Sequence, residues 1–153
     1  MPGTIDARLA ELGLTLPEAT APAANYIPFV RTRNLIFISG QVSMAPGGLI
    51  KGVLGVDMDV EAGAEAAKVC ALNLIAHLKN ACDGDLERVV RVVKLLGFVN
   101  SGPGFDQQPA VVNGASNLLV DVFGDRGRHA RSAVGASLPF GAAVEVEGIF
   151  EVA

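Results

Sequence analysis

The segment from Asp59 to Gly84 constrains the fold of this chain more than any other. Ala64, Ala67, Ala71, Leu74, Ile75, Leu78 and Cys82 recur there at helical spacing and form one apolar stripe. Asp59 begins the helix, which should end near Asp83-Gly84. A helix of this length rises roughly 35 Å, and a stripe that long is stable only against a second layer of structure. Glu61, Glu65, Lys68, Asn73 and His77 fall away from the stripe and read as a solvated face, which makes His77 a surface residue rather than a ligand.

The second layer is legible on either side. Val89 to Val99 is rich in β-branched residues and reads as a strand. Tyr26 to Arg31 and Asn34 to Ser39 read as a hairpin joined at Thr32-Arg33, with Pro28 putting the first run at an edge or bulge. Ser43 to Gly55 is a Gly-rich loop with one short strand expected around Leu49 to Val53. Phe105 to Phe123 returns to helical period through Val111, Ala115, Leu118 and Val122, with Pro109 tolerated in the first turn and Gly114 against the pattern. Ala130 to Ala136 and Ala142 to Val152 read as two strands around the turn Leu138 to Gly141. At the start, residues 4–12 make a short helix capped by Thr4, with Ile5, Leu9 and Leu12 on one face and Gly13 as its exit; a linker with Pro17 and Pro22 follows. The order predicts one α+β domain over 1–153, with 1–22 as helix and linker extension and both long helices on one face of the sheet.

With 153 residues, half of them hydrophobic and only 18% charged, the chain has the apolar content of one folded domain and not of a disordered one. A sheet covered on one side leaves a face to bury, so a homo-oligomer is expected. The net charge of −4 disfavours nucleic-acid binding. No run is long enough to span a membrane and no signal-peptide order is visible, so a cytoplasmic location without membrane partners is expected. Cys70 and Cys82 stand twelve residues apart on one helix, about 18 Å of rise, beyond disulfide reach. Neither they nor His77 and His129 form a metal-ligand cluster, so no metal is expected.

Three places gather groups that chemistry can use. Ser39-Gly40-Gln41 ends a strand. Arg126, Arg128, His129 and Arg131 put four potential cations within six residues, suited to a carboxylate or phosphate. Arg126 and Arg128 flank Gly127 outside any periodic element and read as surface arginines, whereas Arg131 opens an apolar strand and emerges where the sheet meets a cleft. Glu145 and Glu147 alternate with Val144 and Val146, which puts both carboxylates on one face of the last strand. Simple exposure and service as a general base beside a cationic anchor both fit that pair, and Lys94 fits a salt-bridge partner.

Taken in order, Tyr26, Asn34-Leu35-Ile36-Phe37-Ile38-Ser39-Gly40-Gln41, Phe98-Val99 with Asn113, Ala130-Arg131-Ser132, Leu138-Pro139 and Val144-Glu145-Val146-Glu147 resemble the reactive-intermediate deaminase family, the YjgF type often labelled endoribonuclease L-PSP. The resemblance runs from about residue 22 to the end. It implies a chorismate-mutase-like homotrimer with a ligand cleft at each subunit interface. It further implies hydrolysis of small 2-imino or enamine acids to 2-keto acids and ammonia without a cofactor. By the same resemblance Arg131 holds the substrate carboxylate, Glu145 assists the attacking water, a backbone group near Gly40 or Ala133 contacts the reacting nitrogen, and Tyr26, Ser39 and Asn113 line the cleft. Ala133 stands where the family commonly has cysteine, and Ala24-Asn25 where it has Gly-Pro. With the 43–56 loop and the Gly102-Pro103-Gly104 insertion, these mark a divergent branch. A trimer that only binds a small carboxylate is the alternative; RNA cleavage ranks last, given the acidic balance and the lack of a basic stripe with stacking aromatics.

Overall fold

The computed structural model describes residues 3–19, 25 and 27–153. Tyr26 and residues 20–24 therefore lie outside the described residues.

The sheet is built from five strands in the order β1-β2-β7-β5-β6, where β1 is Phe29–Thr32, β2 Leu35–Val42, β5 Val89–Val99, β6 Ala130–Gly135 and β7 Val144–Val152. All neighbours are antiparallel except β5 and β6, which run parallel. The two C-terminal strands are thus not partners: β7 inserts between β2 and β5 and leaves β6 at an edge. The hairpin turns at Arg33-Asn34, one residue later than expected because Thr32 still pairs with Leu35; Arg33 takes the left-handed region, and Pro28 precedes edge strand β1 as expected. The Gly-rich loop holds a two-residue hairpin, β3 (Met44–Ala45) with β4 (Gly48–Leu49).

Helices α2 (Val60–Ala81) and α3 (Gln108–Phe123) pack together on one face of this sheet. Asp59 caps α2 by accepting a hydrogen bond from the Ala62 N–H. Strand β7 records the layering: Val144, Val146, Gly148, Phe150 and Val152 are buried beneath the helices, and the residues between them are half-buried on the opposite face. Gly114 serves the helix contact directly. A Cβ there would lie 1.9 Å from the Ala64 carbonyl oxygen, so the residue that breaks the helical pattern is the one that lets α3 meet α2.

Two expectations are corrected. His77 is buried, at 2% exposure, because α2 is enclosed on more than its sheet-facing stripe. Its flank at Asn73 lies against the β3 hairpin, where the Asn73 amide donates to the Met44 carbonyl at 3.0 Å, and His77 follows one turn later. In helix α1 (Thr4–Glu11) the N-cap is Gly3, and Thr4 does not cap. A distant side chain does so instead: Glu87 accepts from the Ile5 N–H at 2.6 Å and from the Thr4 hydroxyl at 2.7 Å. Gly13, at φ +69°, ends α1 as expected.

Cys70 and Cys82 are free and buried, and burial pushes both thiols up and away from reactivity. Among the described residues, no helix is long and apolar enough to cross a membrane and no three metal-binding side chains cluster.

Candidate functional site

Strand parity decides where each candidate residue stands. On β5, Leu95, Gly97 and Val99 are buried toward the helices, while Leu96 and Phe98 occupy the other face. Residues paired across a ladder share a face. Arg131 pairs with Leu95 and Ala133 with Gly97, so both stand on the helix side of edge strand β6. Glu145 pairs with Phe98 and Glu147 with Leu96, so both carboxylates stand on the open face. The structure therefore separates Arg131 and Glu145 within one subunit, on opposite faces of the same sheet.

On the open face, the register between β2 and β7 slips by one residue between Ile38 and Gln41, and the extra residue makes a bulge at Ser39-Gly40. Its effect is local and chemical. With no side chain on Gly40, the Glu145 carboxylate settles against its backbone; a Cβ at Gly40 would lie 2.9 Å from Glu145 Cδ and Oε2. Ser39 faces the chain entering β1, donating from Oγ to the Ile27 carbonyl at 3.1 Å and from its N–H to the Pro28 carbonyl. Gln41 folds back, its amide donating to the Ser39 carbonyl. Burial, and then the neighbouring Glu147, hold the Glu145 carboxyl above the ordinary glutamate value, which suits a group that takes and returns a proton. Lys94 and Glu147 border the same shallow depression of about 100 Å³, without an ion pair between them.

On the helix side, Arg131 is held from α3. Its Nη1 donates to Asn113 Oδ1 at 2.8 Å and to Ser116 Oγ at 3.1 Å. Ser116 in turn lies 2.9 Å from His129 Nε2, and His129 Nδ1 lies 2.6 Å from the Gly127 carbonyl. A carbonyl only accepts, so Nδ1 carries the proton, and in the neutral ring Nε2 is then an acceptor for the Ser116 hydroxyl. Burial lowers the His129 pKa, the Gly127 carbonyl opposes it as the next largest effect, and the Arg131 guanidinium adds a smaller lowering. His129 is thus a neutral acceptor here and not the cation its place among the arginines implied. Ser116, Val120, Arg128, His129 and Arg131 line an open cavity of about 250 Å³.

Among the neighbouring arginines, Arg126 is less exposed than its setting predicts, since it donates to the Val89 carbonyl at 3.0 Å and pins the turn to β5. Arg128 is exposed as expected and pairs with Asp125. Sequence reasoning passed over Ser116 and His129 as partners of Arg131. The available signal was the spacing of Asn113 and Ser116, three residues apart on one face of α3.

A YjgF/chorismate mutase-like family model, whose description also carries an endoribonuclease label, matches residues 6–144. Protein TCP17 of Trypanosoma cruzi is 49% identical over 153 residues, covering 98% of this chain and 95% of its own. The solved structure of Atu1372 from Agrobacterium tumefaciens, described as of unknown function, superposes with a TM-score of 0.92 at 49% identity, covering 98% of this chain and 93% of its own. A Shewanella oneidensis structure named as a candidate endoribonuclease also gives a TM-score of 0.92, at 35% identity, with 98% and 100% covered.

Proposed function

This chain belongs to the YjgF/chorismate mutase-like family, and we propose that it hydrolyses small 2-imino or enamine acids in clefts shared between the copies of a homotrimer. The observation that carries the reading is the separation of the two functional groups onto opposite faces of the sheet. A cleft that uses both must bring the β6 edge of one copy against the open face of the next. Such a contact joins two different patches and closes as a ring. The open face is suited to burial against a neighbour, since Val30, Phe37 and Val134 on it or at its rim are 41–51% exposed.

In that cleft Arg131 binds the substrate carboxylate and orients the imine carbon, with Ala133 beside it on the same strand and Asn113 behind it. From the neighbouring copy, Glu145 accepts a proton from the attacking water. The new C–O bond forms as the C=N electron pair goes to nitrogen. Glu145 then hands that proton to the nitrogen; as the C–N bond breaks, the hydroxyl O–H electron pair closes the C=O bond and its proton leaves on the departing nitrogen, so a protonated imine and water become a 2-keto acid and ammonium. Ser39 and Gly40 shape the Glu145 half; Tyr26 enters the cleft by the family resemblance alone. Water and substrate supply every atom of the products, and the steps between them are carried by Arg131 and Glu145.

The test is release of pyruvate from freshly generated 2-iminopropionate, with spontaneous hydrolysis subtracted and Arg131→Ala run alongside. Acceleration that the substitution abolishes in a folded trimer supports the reading. A folded protein without acceleration refutes it. Ala133 removes the thiol from the cleft, which favours one other reading, a trimer that binds the carboxylate without turnover; ligand-dependent thermal stabilisation alone would identify it.

A further inference from the structure

We infer that Ser116 and His129 are positioning residues that aim the Arg131 guanidinium at a ligand carboxylate, and that the neutral His129 ring is what keeps the anchor aligned. The inference rests on the reading of Arg131 as the carboxylate anchor. It adds two residues and a pH dependence to it.

The chain of donors and acceptors leaves one consistent arrangement. Gly127 fixes the His129 tautomer, so Nε2 accepts the Ser116 proton. With its proton committed to His129, Ser116 offers Arg131 its lone pairs, and Asn113 Oδ1 offers a second acceptor to the same nitrogen. Both Nη1 hydrogens are then engaged on α3. What remains among the described residues is the Nε and Nη2 side of the guanidinium, whose two parallel N–H bonds match the two oxygens of a carboxylate. An arginine on an exposed sheet edge otherwise samples many rotamers, and ordering it in advance removes that cost from binding.

Protonating His129 undoes the arrangement. The imidazolium has no acceptor for the Ser116 proton and places a cation beside Arg131. The charged groups around it compound this: Arg131 on β6 and Arg128 in the preceding turn line the same cavity, Arg91 of β5 reaches the Arg128 carbonyl, and Lys94 of β5 lies opposite Ala130. Asp125, paired with Arg128, is the acid in this group. From α3 the cavity receives only Ser116 and Val120, which carry no charge. The His129 pKa lies below its ordinary value, so the ring is neutral at pH 7 and gains its proton only in more acidic solution. Carboxylate affinity therefore falls as pH drops through that lowered value.

The experiment measures pyruvate binding by calorimetry from pH 5 to 8, beside keto-acid release, for the wild type and four variants. His129→Asn keeps a donor for Gly127 but lacks the acceptor for Ser116, and Ser116→Ala removes the link. Each is expected to weaken binding at pH 7.5 by roughly three- to tenfold, the range for one lost hydrogen bond, with KM raised and kcat little changed. His129→Gln places an amide oxygen near the Nε2 position without a titrating group. It should bind close to wild type at pH 7.5 and lose the acid-side decline; Glu145, present in both proteins, cancels from that comparison. Arg131→Ala should not bind.

Failure of the wild type to bind pyruvate overturns the anchor reading and this inference with it; binding without keto-acid release overturns the hydrolysis reading alone. If the wild type binds and Arg131→Ala does not, yet Ser116→Ala and His129→Asn bind as wild type or His129→Gln keeps the wild-type pH slope, only this inference falls. Should His129→Asn fail to fold, Ser116→Ala and His129→Gln decide the matter.

Discussion

Gly40→Ala isolates the Glu145 half of the cleft from everything else. Gly40 lies on the exposed face of β2 outside the left-handed region, so alanine fits its backbone. The new methyl would meet Glu145 Cδ and Oε2 at 2.9 Å and Cγ at 3.1 Å, whereas ordinary contact begins at 3.4 Å. The far end of a side chain can yield, so the fold is spared, and the loss of glycine entropy adds about 0.4–1 kcal/mol of stability. The carboxylate must withdraw by about 0.5–1 Å, and a displacement near 1 Å from a productive position costs up to about a hundredfold in rate. We expect kcat for 2-iminopropionate to fall by roughly ten- to a hundredfold. The thermal midpoint should be unchanged or slightly raised, and pyruvate should bind as in the wild type. A kcat within twofold of wild type in a folded trimer would refute the idea that Gly40 seats Glu145. Equal losses of binding and turnover would refute the division of labour between the two halves.

Gly114→Ala should destabilise the fold by about 2–4 kcal/mol, because a Cβ 1.9 Å from the Ala64 carbonyl forces α2 and α3 apart and the gain in helix propensity is only about 1 kcal/mol; denaturant unfolding measures it. Glu87→Ala should cost about 1 kcal/mol by uncapping α1, with faster hydrogen exchange at Ile5. The bonds from the Ile5 N–H and Thr4 hold the Glu87 carboxyl below its ordinary value, so its contribution is present at neutral pH and is lost as pH falls through that lowered value; acid titration of the α1 amides checks this. Glu145→Gln should lower kcat while leaving pyruvate affinity intact. In the wild type kcat should rise with pH through a value above the ordinary glutamate range, and the variant should lack that rise.

What the sequence disclosed and what it hid divide along sequence distance. The Val89–Val99 strand and the two long helices follow from local pattern, and the structure has each within a few residues of where the pattern puts it. The placement of β7 between β2 and β5 depends on pairing partners far apart in the chain, as in Val99 with Val144 and Val42 with Glu145, which no local period encodes. The separation of Arg131 from Glu145 follows from that register. Each residue alternates visibly within its own strand, but the relation between the two parities is set only by Leu95 and Phe98 on the strand between them. His77 departs from its pattern because the apolar stripe is only part of the buried surface of α2, and Thr4 because its partner Glu87 lies 83 residues away. The Ser116–His129 bond joins a helix to the chain leading into β6, so Asn113 and Ser116 marked the helix face without showing what it holds.

The central claim, that each cleft takes Arg131 from one copy and Glu145 from the next, is tested most directly by mixing subunits. Arg131→Ala and Glu145→Gln, carrying different affinity tags, are each expected to turn over far below wild type alone and are reassembled and purified through both tags. In a ring of three with two copies of one variant and one of the other, a single interface pairs an intact Arg131 with an intact Glu145. Mixed trimers should therefore release keto acid at about one third of the wild-type rate. Mixed trimers no more active than either parent would contradict the shared cleft.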